Sequence, residues 1–345
     1  RLTDTLQVGF PFLNAMAFLL FGPARAAVPI LNLFLGCWLA IPVYHTARLV
    51  VRGNQYVAKI AAALVLFFPS LMLWSVLNIR EAPAILLAML AVYFLVSFQH
   101  RVRIWDVAGA LVALGLLALF REYLSALVGI AGGAGVLMGK SRSPLRSFVV
   151  GVGIMLVLAF LMRDTGFGGR LTEEPTLSRL EVLRQDMALG AGSAYGQGYD
   201  VSTFRGAATF LPVGIAYFLL APFPWSLGST LQTVTIPETT LWYLLIPFVL
   251  RGIWLAVRHD PGRFTVLAAT LVVVSFAYAL VEGNVGTAYR HRAQVLPLMF
   301  VFCALGLRDY YAVWHMRRMQ AQEAIRKARL RGRDVHPPFD PRGVS

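Results

Sequence analysis

Residues 78–125 read NIREAPAILLAMLAVYFLVSFQHRVRIWDVAGALVALGLLALFREYLS. An Arg-Glu pair, an apolar run, two arginines, a second apolar run and a second Arg-Glu pair follow in order. The runs Ala82–Phe98 and Ile104–Phe120 each reach the roughly 17-residue lower limit for a helix that crosses a bilayer. Two antiparallel crossings would put Arg80–Glu81 and Arg121–Glu122 on one side and Arg101 and Arg103 on the other. Lysine and arginine collect in cytoplasmic loops, so the two Arg-Glu pairs are expected outside.

The same pattern extends both ways. Further candidate spans are Val28–Leu49, Ile60–Val76, Tyr123–Met138, Phe148–Met162, Leu241–Val257, Phe264–Val281 and Val295–Leu307. Phe10–Phe21 is too short to cross and suits the interface. Basic linkers recur at Arg48, Arg52 and Lys59, at Lys140, Arg142 and Arg146, at Arg258 and Arg263, and along a tail from Arg317 to Arg333. All share one side only if Phe210–Trp225, expected to be broken by Pro212, Pro222 and Pro224, enters and leaves by the same face. The predicted fold class is an all-α integral membrane protein with about nine transmembrane helices plus one re-entrant or interfacial segment. Its transmembrane domain covers residues 1–307 with an external loop at 163–208, and a basic cytoplasmic tail covers 308–345.

Composition agrees. Charged residues make up 14% of the chain against about a quarter in a soluble domain, and hydrophobic residues 58%. The net charge of +14 is clustered in the linkers and tail, a pattern of orientation and lipid contact that argues against nucleic acid as a partner. Cys37 and Cys303 fall inside apolar runs, and the six histidines lack metal-ligand spacing, so a zinc site has no support. No cofactor is required, although a divalent metal is compatible. The run GGAGVLMGKS (132–141) imitates a phosphate-binding loop, but Ala134 stands where glycine is needed and a hydrophobic helix precedes it in place of a strand. Its Gly129–Gly133 and Gly135–Gly139 spacings suit close helix packing.

On the external face, the charges left over form one expected assembly: Asp4, Arg80–Glu81, Arg121–Glu122, the 163–208 loop, Glu282 and Tyr289–Arg292. A guanidinium beside a carboxylate can bind a lipid phosphate and polarise a hydroxyl; an interfacial ion pair is the other reading of Arg80–Glu81, and a structural pair that of Arg121–Glu122. Arg290, His291 and Arg292 run against the topological charge bias and can grip a phosphate, or anchor the last span. Within the loop, Ser178 with Glu181 fits a capping box, and Leu177, Leu180, Leu183 and Met187 form one apolar stripe. The glycine-rich 190–200 segment is expected to be a mobile cover or a flexible connector.

The runs LNLFLGCWLAIPVYHTARLV (31–50), FPSLMLWSVLNIREA (68–82) and GTAYRHRAQVLPLMF (286–300) resemble bacterial membrane glycosyltransferases of the GT-C class, relatives of protein mannosyltransferases and of the lipid A aminoarabinose transferase. The resemblance implies an inner (plasma) membrane, multi-pass enzyme with a cytoplasmic C-terminus. It would transfer a hexosyl or pentosyl group from a polyprenyl-phosphate-linked donor to a glycan, lipid or protein acceptor in cell-envelope glycan synthesis. Glu81 takes the catalytic place, and Arg80, Arg121, Tyr289, Arg290, His291 and Arg292 the substrate and lipid-phosphate places. The class has a first-loop carboxylate, and nothing around Asp4 reproduces it. With Arg1 in place of a Met, a preceding span is expected. An O-antigen-type polysaccharide polymerase or ligase, a lipid or solute transporter, and a non-catalytic scaffold are the alternatives.

Overall fold

The computed structural model describes residues 8–139, 143–163, 176–189, 191–226 and 233–330. Fifteen helices cover most of them: α1 (Gly9–Phe21), α2 (Ala27–Trp38), α3 (Ala40–Val50), α4 (Gln55–Phe67), α5 (Pro69–Val76), α6 (Glu81–Arg101), α7 (Ile104–Phe120), α8 (Glu122–Met138), α9 (Pro144–Arg163), α10 (Thr176–Ala188), α11 (Phe204–Leu220), α12 (Ile236–His259), α13 (Pro261–Val281), α14 (Val285–Arg292) and α15 (Leu296–Leu330). Asp4, Lys140, Arg142, the middle of the long loop and His336–Ser345 lie outside the described residues.

Among the described residues, five stretches are long and apolar enough to cross a membrane: 27–50, 81–101, 236–259, 261–281 and 296–327. A sixth is the pair α4–α5, bent by 52° where Pro69 follows Phe68. Helices α7 and α8, at 17 residues each, are about 25 Å long at 1.5 Å per residue, close to the hydrocarbon thickness. Large apolar side chains such as Phe12, Trp38, Phe67 and Leu244 face outward from the bundle. Exposed apolar side chains on so many helices are suited to lipid.

One expectation about helix limits changes. Pro212 does not break α11, which runs unbroken from 204 to 220. Its buried side chains and its C-terminal carbonyls pack on α13, α14 and the segment around Tyr195. Phe210 lies beneath the Arg184 guanidinium, Phe218 stacks on Tyr278, and the Leu219 carbonyl accepts from Arg292. At the other end of the chain α15 runs from Leu296 to Leu330 in one helix, so the described part of the basic tail continues the helix of the last apolar run.

Small residues set the spacing between helices. A Cβ on Gly135 would stand 2.5 Å from the Val266 Cα, so that glycine lets α8 lie directly against α13. Gly252 and Gly306 do the same for α12 and α15, each closing on a backbone carbonyl of the facing helix (Phe302 and Phe248).

Candidate functional site

The turn that carries Arg80 and Glu81 is held from α2. Asn32, fully buried, donates its amide to the Leu77 carbonyl at 2.8 Å and to Ile79 at 2.9 Å. That fixes the chain just before α6 and delivers Glu81 to the first turn, where a carboxylate suits the positive end of the helix dipole. Arg121 is the entire linker between α7 and α8. The Ser125 hydroxyl closes this hairpin on the Leu114 carbonyl at 2.7 Å. Arg290, His291 and Arg292 sit on α14, whose start is capped by the Asn284 side chain accepting from the Gly286 amide at 2.9 Å.

These three places meet. Arg121 donates to Glu81 Oε1 and to the Tyr123 hydroxyl, and its Nη1 lies 3.1 Å from His291 Nε2. Arg290 Nε stands 3.1 Å from the same Glu81 oxygen. His291 Nδ1 contacts Glu282 Oε1, and Thr287 donates to the other Glu282 oxygen at 2.5 Å. Burial lowers the His291 pKa from its ordinary value, against the pull of Glu282. The ring is therefore neutral near pH 7, with Nδ1–H donating to Glu282 and Nε2 accepting from Arg121. Arg80 completes the group, half-buried, with Nη1 3.4 Å from the Phe120 carbonyl.

A second charged set lies alongside. The Arg292 guanidinium, 1% exposed, donates to the carbonyls of Leu219 and Ala221, both at 3.0 Å. These are carbonyls that the end of α11 cannot satisfy internally. Glu238 Oε1 faces Arg292 Nη2 at 3.8 Å, too far for a hydrogen bond, while the Tyr289 hydroxyl donates to Glu238 Oε2 at 2.5 Å. Burial and the neighbouring Glu238 carboxylate raise the Tyr289 pKa, so the phenol stays protonated.

The sequence-predicted residues thus gather at one end of the bundle but divide in what they can do. Glu81 is sealed at 1% exposure and carries two guanidiniums on one oxygen, so it is not free to take a proton from an acceptor while both remain. His291 has both nitrogens engaged, and Arg292 spends Nη1 on two carbonyls, while its Nη2 has no hydrogen-bond partner and is sealed from solvent with the rest of the side chain at 1% exposure. Arg290 is different. At 36% exposure, with its Nε–H not directed into a hydrogen bond, it is held to Glu81 mainly by charge.

The long loop also departs from expectation. Ser178 lies inside α10 instead of capping it, and Glu181 binds Arg184 and accepts from the Val201 amide at 2.9 Å. Leu183 is exposed, so the apolar stripe is incomplete; what α10 buries is the Glu181–Arg184 pair. The glycine-rich segment is tied down. Tyr195 stacks on Tyr217 at 4.1 Å, its amide donates to the Gly283 carbonyl, and Arg184 reaches the carbonyls of Gly196 and Tyr199. This anchoring replaces the mobile cover.

Sequence reasoning passed over Glu238, Tyr123 and Asn32. Glu238 carried a usable signal, an acid at the first turn of a long apolar run, as at Glu81. Among the described residues, no three His, Cys, Asp or Glu side chains stand close enough to hold a metal ion.

Residues 8–163 match the family model described as dolichyl-phosphate-mannose-protein mannosyltransferase. No curated protein sequence matches the chain. In fold, the chain is similar to ArnT from Cupriavidus metallidurans, solved bound to undecaprenyl phosphate, with a TM-score of 0.55 and 16% identity. The likeness covers 88% of this chain and 50% of ArnT, so the chain spans about half the length of that relative. The chain is, on this ground, a multi-pass membrane protein with the all-α architecture of the GT-C class of glycosyltransferases.

Proposed function

We propose that the chain transfers a sugar from a polyprenyl-phosphate-linked donor to an acceptor hydroxyl at the extracytoplasmic face of the inner membrane, in cell-envelope glycan synthesis. The observation that carries this reading is the convergence of Arg80, Arg121 and Arg290 with Glu81 at one end of the bundle. The basic linkers and the C-terminus then lie in the cytoplasm.

The donor phosphate meets Arg80 and Arg290. Drawing Arg290 onto the phosphate takes one of two cations off Glu81, which frees the carboxylate to receive the acceptor proton. The acceptor oxygen bonds to the anomeric carbon as the bond from that carbon to the phosphate oxygen breaks. The electron pair leaves on the prenyl phosphate, where fixed guanidinium charge in a dry site stabilises it. Arg121, His291 and Glu282 position this machinery, Arg292 fixes α14 against the end of α11, and Tyr289 ties it to Glu238 of α12. The reaction so drawn needs no metal.

A polymerase or ligase acting on oligosaccharides shares this chemistry. The groove of about 610 Å³ between α10 and residues 197–202, lined by Gln185, Gln197, Tyr199 and Asp200, favours it by offering a polar acceptor path. That path adjoins Glu282, because Gly283 packs on the Arg184 carbonyl. The test is transfer from labelled polyprenyl-phosphate sugars by the purified chain, with Arg80→Ala and Arg290→Ala expected to abolish it while the protein stays folded. Unchanged turnover in both variants would remove these residues from the mechanism.

A further inference from the structure

The other end of the bundle holds a second polar assembly that sugar transfer does not use. Helices α6 and α13 have 21 residues each, about 30 Å at 1.5 Å per residue, and each reaches both ends. The first has Glu81 at one end and Arg101 at the other; the second has Glu282 following one end and Arg263 near the other.

Between the far ends of α3, α6 and α13 lies a cavity of about 610 Å³ lined by Arg48, Arg52, Gln99, His100, Arg101 and Arg263. Two of the arginines are committed. Arg52 pairs with Asp260 at 2.8 Å, and Arg263 donates to the Leu49 and Val50 carbonyls at 2.5 and 3.2 Å. Arg48 and Arg101 are exposed, and among the described residues neither forms an ion pair. Four cations from separate elements would splay into water if they served orientation alone. Here they face one space.

The base of that space is incompletely satisfied. Gln99 is fully buried, and its amide nitrogen donates to the Gly262 carbonyl and to Thr265 Oγ1. Its Oε1 has no partner. An unpaired acceptor calls for a donor, which a hydroxyl supplies and a bare phosphate dianion lacks. Ile104 and Trp105, following Arg101, are 70% and 80% exposed, and a Trp so placed marks the headgroup level of a bilayer.

We propose that this cavity binds the phosphate of a hydroxyl-bearing headgroup, supplied by an anionic glycerophospholipid of the leaflet opposite the transfer site. Arg48 and Arg101 take the phosphate oxygens, for which planar guanidiniums are matched donors, and the headgroup hydroxyl turns toward Gln99. The reading needs only that the two assemblies lie at opposite ends of the bundle, and it stands or falls independently of the transfer chemistry.

The test uses the full chain in nanodiscs of phosphatidylcholine with a minor share of phosphatidylglycerol. Retained lipid is read by native mass spectrometry for the parent, for Arg48→Gln/Arg101→Gln, and for the tail control Arg317→Gln/Arg318→Gln. The cavity variant is expected to lose retained phosphatidylglycerol by about tenfold or more, the tail control to match the parent, and phosphatidic acid to be held less well than phosphatidylglycerol. Inorganic phosphate and pyrophosphate in phosphatidylcholine discs form the second arm. Thermal protection by these, abolished in the cavity variant and unaided by phosphatidylglycerol, supports the phosphate site and overturns its lipid source. Equal retention by parent and cavity variant, with no protection by either phosphate, overturns the site itself. Equal retention of phosphatidic acid overturns the part assigned to the hydroxyl.

Discussion

Replacing Arg290 by Gln separates a substrate contact from a structural one more cleanly than any other change at the site. The side chain is 36% exposed, and its ion pair with Glu81 is duplicated by Arg121 on the same oxygen. A screened pair of that kind contributes under about 1 kcal/mol to stability. A charge-assisted hydrogen bond to phosphate is worth about 1.5–3 kcal/mol, so undecaprenyl phosphate should bind about 10- to 100-fold more weakly. Turnover should fall further, by about 10²- to 10³-fold, because charge on the departing phosphate grows in the transition state. Binding is measured with radiolabelled undecaprenyl phosphate in detergent, turnover with a labelled lipid-linked sugar, and stability by thermal denaturation of the same preparation. Affinity and turnover within twofold of the parent would refute the phosphate role. A stability loss as large as that of an Arg121 variant would show Arg290 to be structural instead.

Arg121→Gln should cost about 3–5 kcal/mol, since it removes the buried partner of Glu81 and leaves the carboxylate only the partly exposed Arg290; Glu81→Leu/Arg121→Leu should recover much of that loss in the same denaturation assay while remaining inactive. Gly252→Ala drives a methyl into the Phe302 carbonyl and should lower stability by at least about 1–3 kcal/mol, read as a lower denaturation midpoint. The Glu181 carboxyl is raised by burial but drawn net below its ordinary value by Arg184, the Val201 amide and Gln185. Its contribution is therefore complete above the unfolded value of about 4.3 and is lost as pH falls through the lower folded one. Hydrogen exchange at Val201, corrected for intrinsic rate, should lose protection over that window, and Glu181→Gln should remove the dependence. A chelator such as EDTA should leave turnover unchanged within about twofold, measured in the same transfer assay.

Much of this architecture was legible because a bilayer simplifies the reading. Apolar runs of membrane length and one-sided arginines fixed where α6, α7, α12 and α13 lie, and therefore that Arg80–Glu81, Arg121 and Tyr289–Arg292 share an end. Helix α11 was misread in part because Pro212 removes one hydrogen bond without obliging a break, and packing of Gly214 against Ala279 tolerates it. The pairing within the site was not legible. Which of several arginines would be locked to carbonyls and which left accessible depends on where α11 ends, and no spacing in the sequence records that. The cavity of Arg48 and Arg101 was equally hidden, because its members looked like ordinary orientation signals.

The position of Glu81's partners along the chain has a consequence for how the protein is made. Chains emerge N-terminus first, and an ionised carboxylate left alone in a membrane is expensive. Arg121 follows Glu81 by 40 residues, whereas Arg290 follows by 209. The α6–α7–α8 unit thus carries its own neutralising charge and can settle as soon as it is synthesised. Glu282 gains a hydrogen-bond donor, His291, nine residues later, but no neutralising charge from it. The half that holds Glu81 therefore arrives in the membrane already balanced, and the contacts that join it to α14, Arg290 with Glu81 and Arg121 with His291, form only after the later helices have followed.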